Sequence, residues 1–337
     1  MKIKISELKN TIEKVYKLSQ DEKKYISIMI WGAPGVGKSA AVRQIAKDLK
    51  IDFIDLRLSL LNPVDLRGLP SRSKEGNKAT WLIPDFLPNG NHKKNGILFL
   101  DEINLAPQSV MSAGYQLILD RKLGNYQVPE GWIIVAAGNR AEDQAAVTKF
   151  PAPLANRFIH LELPDPDVDE WKKWAMGNGI VEEVVAFLKK MPQHLFKFPK
   201  AGEKAWASPR SWEFASNLFR IGERIDSAVG EGVASEFYAY LRVYEKMPDI
   251  EDILNGKEKS VPKEHDILYA VSMALAFRAK EEHLDNVFDY IARFPSKEFE
   301  VLSILSMADR SDEMKNAIVQ NSNWTKWIKD NKEIIEE

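Results

Sequence analysis

The chain has 337 residues and no cysteine. Disulfides and thiolate metal sites are therefore excluded, and a reducing compartment fits. An excess of either charge is also missing: 47 Lys and Arg against 49 Asp and Glu leave a formal net charge of −2. Domains that grip nucleic acid usually carry a basic stripe, and Lys93-Lys94 is too short to make one. No stretch approaches the ~20 consecutive apolar residues of a membrane span. Met1 to Leu18 mixes Lys and Glu with apolar residues at helical spacing, not the continuous apolar run of a signal peptide. Internal repeats and low-complexity tracts are absent. His92, His160, His194, His265 and His283 show no ligand spacing. These absences lead to the expectation of a soluble, cytoplasmic protein with no membrane segment and no general nucleic-acid surface. The length allows two domains and a sizeable core.

The first half alternates strands and helices. Apolar runs at Tyr25–Trp31, Ile51–Leu56, Ile97–Leu100, Trp132–Ala137 and Phe158–Leu163 read as five strands. Ile97–Leu100 is apolar without alternation, as expected of a buried parallel strand. One helix places Val42, Ile45, Ala46 and Leu49 on one face, and Pro107 opens another that runs to about Lys122, with Gly124 as its C-terminal cap. Leu66–Leu82 and Leu123–Val128 read as hairpins. After Pro164-Asp165-Pro166 only helices are expected, with a long loop at Met191–Ala207. The expected fold is an α/β core with a five-stranded parallel sheet flanked by helices, followed by helical regions. The expected divisions are an N-terminal helical segment, 1–24; a nucleotide-binding core, 25–165; a helical lid, 166–225; and a C-terminal helical extension, 226–337. Phe196, Phe198, Trp206 and Trp212 read as core or interface residues, because the charge balance gives no support for a base-stacking surface.

Gly32-Ala33-Pro34-Gly35-Val36-Gly37-Lys38-Ser39, followed by Ala40, matches the P-loop pattern in full and lies between a strand and a helix. The glycines let successive backbone N–H groups turn toward phosphate oxygens, and the helix aims its positive end at the same anion. Lys38 adds a charge on the β- and γ-phosphates, and the Ser39 hydroxyl ligates Mg²⁺. The strand Ile97–Leu100 runs into Asp101 and Glu102. Asp101 is expected to hold Mg²⁺ through a water, and Glu102 to polarise the attacking water. Asn139, just past the fourth strand, is placed to orient that water. Arg157 opens the fifth strand and Arg210 opens a helix in the second half. Each is a candidate for charge stabilisation at a nucleotide, and Arg121 is a weaker candidate.

Together these residues resemble the AAA+ superfamily and, within it, the MoxR-like ATPases. The resemblance covers about residues 20 to 222. Its most specific stretches are Asp101-Glu102-Ile103-Asn104-Leu105-Ala106-Pro107, Gly138-Asn139, Leu154 through Phe158, and Ser208-Pro209-Arg210. It implies that Asn139 is sensor 1, Arg157 a finger acting on a neighbouring subunit, and Arg210 sensor 2. It implies ATP with Mg²⁺ as the ligands and a ring, usually hexameric. It also implies remodelling of a protein client, often one with a von Willebrand factor A domain. Arg140 directly follows the sensor asparagine and competes with Arg157 for the finger role. The helices beyond about residue 225 match no motif of the resemblance. An AAA+ motor or loader on nucleic acid is the first alternative function, and a nucleotide-gated binding module with slow turnover is the second. The tip of the first hairpin, Ser71 to Lys78, carries Arg72, Lys74, Glu75 and Lys78 and no aromatic. This favours docking of a specific folded partner over threading of arbitrary chains.

Overall fold

The computed structural model describes residues 2–72, 79–140, 143, 150–199 and 202–331. Lys74, Glu75 and Lys78 of the expected hairpin tip lie outside the described residues. The chain divides into two compact units, Met1–Asp165 and Pro166–Glu337. Among the described residues no helix is long and apolar enough to cross a membrane.

The first unit opens with helix α1 (Ile5–Asp21), strand β1 (Ser27–Trp31), helix α2 (Lys38–Asp48) and strand β2 (Asp52–Arg57). Helix α3 (Pro63–Arg67) leads into a hairpin of β3 (Leu69–Arg72) and β4 (Ala79–Leu82). Then come β5 (Gly96–Asp101), α4 (Gln108–Leu119), a short hairpin of β6 (Lys122–Leu123) and β7 (Tyr126–Gln127), and β8 (Trp132–Gly138). Helix α5 (Ala152–Ala155) and strand β9 (Phe158–Glu162) complete it. Five strands form one parallel sheet in the order β2-β5-β8-β1-β9. Ile28, Ile30, Ile97, Phe99, Ile133 and Val135 face Leu8 and Ile12 of α1 and Val42 and Ile45 of α2. Met29, Leu98, Leu100, Ile134 and Ala136 face Val110, Met111 and Leu117 of α4. Both faces of the central strands β1, β5 and β8 are covered, which is why these three are apolar over most of their length, whereas the edge strands β2 and β9 include Asp55 and His160. Each such side chain contributes about 1.5–3 kcal/mol by leaving water.

Two local expectations change. Leu66 belongs to helix α3, not to a strand. The preceding Asn62-Pro63-Val64-Asp65 is a helix start: Pro63 sits in the first turn, and the Asp65 carboxylate accepts the Asn62 N–H at 2.7 Å. The hairpin therefore begins at Leu69. Helix α4 ends at Leu119 with Asp120 as its cap. Gly124, at φ +58°, instead makes the turn between β6 and β7, a conformation glycine adopts without strain.

The second unit is helical throughout its regular structure among the described residues. Its first helix, Val168–Gly177, starts where the Asp167 carboxylate accepts the N–H groups of Asp169 and Glu170, each at 3.0 Å. Trp212 is fully buried against Phe187 and Phe237. Helices between 168 and 244 share a core with Met273, and a second core lies among the helices from Ile250 to Trp327.

Candidate active site

Strand order brings the motifs together. Strand β8 lies between β1 and β5, so the loop after β1, the residue after β8 and the end of β5 meet at one edge of the sheet. That carboxyl edge is where open α/β sheets bind ligands. Gly35 at φ +83° and Gly37 at φ +96° turn the chain from β1 into α2, conformations a side chain would strain. The loop Gly32–Ser39 with Ala40 thereby places the first turn of α2 over the strand ends.

Lys38 is buried, with its ammonium donating to the carbonyls of Gly32 at 2.8 Å and Ala33 at 2.9 Å and to Asn139 Oδ1 at 3.0 Å. Ser39 donates its hydroxyl to Asp101 Oδ2 at 2.6 Å. Asp101 is buried at the end of β5, and its Oδ1 accepts the N–H of Glu102 at 2.9 Å. Glu102 has φ +53°, an uncommon conformation for a residue with a side chain. This kink turns its carboxylate off the strand line, where Oε2 accepts the Ser59 hydroxyl at 3.0 Å. Asn139 thus meets Lys38, and Ser39 meets Asp101.

The arginines separate clearly. Arg140 forms ion pairs with Asp143 at 2.9 Å, Asp165 at 3.2 Å and Glu162 at 3.6 Å. Its hydrogen bonds to Asp143 hold its pKa above the ordinary arginine value. Arg157 follows α5, its backbone N–H donating to the Leu154 carbonyl at 3.0 Å, and its side chain is exposed with no ion pair among the described residues. Its neighbours hold the segment firmly: Phe158 is buried, and the Trp31 indole donates to His160 at 2.9 Å. Arg121 folds back on the structure. It donates to the carbonyls of Pro129 and Trp132 and stacks 3.8 Å from the centre of the Tyr25 ring. Burial lowers its pKa. In the helical unit, Arg210 is exposed in the first turn of the helix Pro209–Arg220, which Ser208 caps.

Sequence reasoning assigns no role to Ser59, Asp55 or Asn104. Ser59 and Asp55 carry no local signal, because their neighbours at the site come from distant segments. Asp55 pairs with Arg43 at 3.0 Å, and its pKa is raised by burial and then by the nearby Asp101 charge. Asn104 is visible in the sequence only as a letter in a motif; its contacts with Asn139 are tertiary.

A hard divalent cation fits this donor set. Ser39 and Asp101 offer adjacent oxygens beside the phosphate loop. Among the described residues no group of three His, Asp or Glu side chains forms a metal cage.

No curated protein matches the sequence. Among solved structures, NtrX from Brucella abortus is similar at 16% identity and a TM-score of 0.39, over 93% of this chain and 67% of that one. The Holliday junction branch migration motor RuvB of Thermotoga maritima is similar at 15% identity and a TM-score of 0.38, over 86% of this chain and 87% of that one. The family model "ATPase family associated with various cellular activities (AAA)" matches residues 28–164. The chain thus carries an AAA ATPase domain, in an AAA+ α/β core followed by a helical lid and C-terminal helical region.

Proposed function

We propose that this protein is a MoxR-like, Mg²⁺-dependent ATPase that works as a ring, hexameric by family resemblance, and remodels a protein partner. The observation that supports the chemistry is the joined pair of contacts Lys38–Asn139 and Ser39–Asp101, with Glu102 turned out beside them. Lys38 and the loop amides bind the triphosphate. Ser39 and Asp101 would hold Mg²⁺, which when bound would supply charge neutralisation at the phosphates. Glu102 accepts a proton or strong hydrogen bond from the attacking water, and Asn139 orients that water as a neutral amide. Arg157 reaches the γ-phosphate of the neighbouring subunit. It is the better finger than Arg140, whose guanidinium already faces carboxylates of Asp143, Glu162 and Asp165 among the described residues. Arg210 reports the nucleotide from the lid.

A protein client is supported by exposed apolar side chains on and around the first hairpin. Leu60, Val64, Leu69, Trp81, Leu82 and Ile83 are all exposed. Leu69 and Leu82 are paired across the hairpin, and exposed apolar side chains there suit a protein partner better than nucleic acid. A von Willebrand factor A domain protein is the client that the family resemblance suggests. Co-purification of the native protein, followed by ATPase assays with the recovered partner, tests the reading. Stimulation by the partner is the expected result. Salt-sensitive DNA binding with DNA-stimulated hydrolysis, and no protein partner, would transfer the function to nucleic acid.

A further inference from the structure

Asn104 lies in the 3₁₀ turn Ile103–Leu105 that follows Glu102, and it is 3% exposed. Both ends of its amide are used by one residue. Its Oδ1 accepts the backbone N–H of Asn139 at 3.1 Å, and its Nδ2 donates to the Asn139 carbonyl at 2.8 Å. This is the pairing a neighbouring strand would offer, supplied by a side chain where the ladder between β5 and β8 has ended at Leu100 and Ala136. The donor–acceptor pattern also settles the amide's orientation, since a flipped amide would set like against like at both contacts. Room for the contact depends on Gly138. A Cβ there would stand 2.6 Å from Asn104 Oδ1 and 2.7 Å from Met29 Cε.

The side chain of Asn139 accepts from Lys38 at 3.0 Å. One chain of contacts therefore runs from the phosphate-binding lysine through Asn139 to Asn104, two residues past Glu102. We infer that Asn104 is a positioning residue for hydrolysis: it fixes the Asn139 peptide and so aims the Asn139 amide. This rests on the proposed role of Asn139 at the nucleotide. Asn104 touches no reacting atom. Its effect comes through geometry, where a displacement of about 1 Å can cost ~10² in rate.

The test compares Asn104→Asp, Asn104→Ala, Asn139→Ala and the double variant Asn104→Ala/Asn139→Ala in the full-length protein. ATP hydrolysis, nucleotide affinity and thermal midpoint are measured on each. Asn104→Asp keeps the volume and the N–H contact but sets a carboxylate oxygen against the Asn139 carbonyl, so it serves if Asn104→Ala does not fold. The expected result is a fall in kcat of about 10- to 100-fold for either Asn104 variant. KM and nucleotide affinity should change by less than about threefold, because only transition-state geometry is lost. In the Asn139→Ala background, Asn104→Ala should lower kcat little further. Parent-like kcat in Asn104→Asp, or fully additive losses in the double variant, would overturn the inference while leaving the Asn139 reading intact. Parent-like kcat in Asn139→Ala would overturn both, and is told apart by that single variant.

Discussion

At the strand ends of the first unit the motif residues bind one another: among the described residues Lys38 donates to Gly32, Ala33 and Asn139, Asp101 accepts from Ser39 and Glu102, and Asn104 pairs with Asn139 at both ends of its amide. On the hairpin of β3 and β4 the reverse holds, with Leu69 63%, Leu82 58% and neighbouring Ile83 50% exposed. Rigid internal hydrogen bonding keeps donors and acceptors in place before a ligand arrives, which lowers the reorganisation that catalysis requires. Exposed leucine gains its transfer free energy only when something covers it. One region is organised by its own hydrogen bonds, and the other exposes apolar side chains that a partner could cover. The arginines divide the same way: Arg140 is enclosed by carboxylates, whereas Arg157 projects outward from a backbone held in place.

The largest effect is expected at the outward-facing arginine. Arg157→Ala should bind ATP but hydrolyse it about 10³–10⁵ times more slowly, the usual worth of an arginine finger. Mixing it with Glu102→Gln subunits should restore part of the activity, because a mixed interface can hold one intact site. Turnover assays across mixing ratios check this; a flat, inactive series would remove Arg157 from the neighbouring site.

Next in size is Glu102→Gln, expected to keep nucleotide binding and lose about 10²–10⁴ in hydrolysis rate, as general-base removal does. Equilibrium binding and single-turnover hydrolysis separate the two effects. Near-parent turnover would mean another group activates the water.

A smaller effect, and one of a different kind, is expected from Arg140→Ala. It leaves Asp143, a nearly buried carboxylate, without its strongest partner. Losing one member of a buried pair costs about 3 kcal/mol. The thermal midpoint should therefore fall while turnover in the folded fraction changes less than for Arg157→Ala. The opposite pattern, stable but inactive, would move the finger role to Arg140.

The smallest effect on basal turnover is expected on the hairpin. Trp81→Ser with Leu82→Ser should leave partner-free ATPase within about twofold. The same variant should weaken binding of a co-purified partner by at least about tenfold, the scale of a buried aromatic anchor. Titration calorimetry with the partner decides. Unfolding of a tagged substrate by the purified ring alone would show that the apolar strands grip chains in general and do not dock one partner.

The central strands β1, β5 and β8 are legible as apolar runs because both their faces are buried, while the edge strands β2 and β9 are legible despite polar residues such as Asp55 and His160. Their ends differ from the sequence reading by at most two residues. Leu66 is ambiguous in sequence because its apolar character fits a strand and a helix equally. The capping pattern at Asn62 to Asp65 is the signal that separates them. The end of α4 falls earlier than the sequence suggests, because a glycine in a sequence does not reveal whether it stops a helix or turns a hairpin.

The sequence by itself determined the phosphate loop, the paired carboxylates at a strand end and the α/β architecture. Each of these depends on neighbours along the chain: backbone turns, helix starts and strand periodicity. Only the tertiary structure decided that Asn104 holds Asn139, that Ser59 meets Glu102, and that Arg140 is enclosed while Arg157 is exposed. Apart from the local Arg140–Asp143 pair, those relations join segments tens of residues apart. A side chain's partners there depend on strand order, which places β8 between β1 and β5, and no local pattern encodes that order.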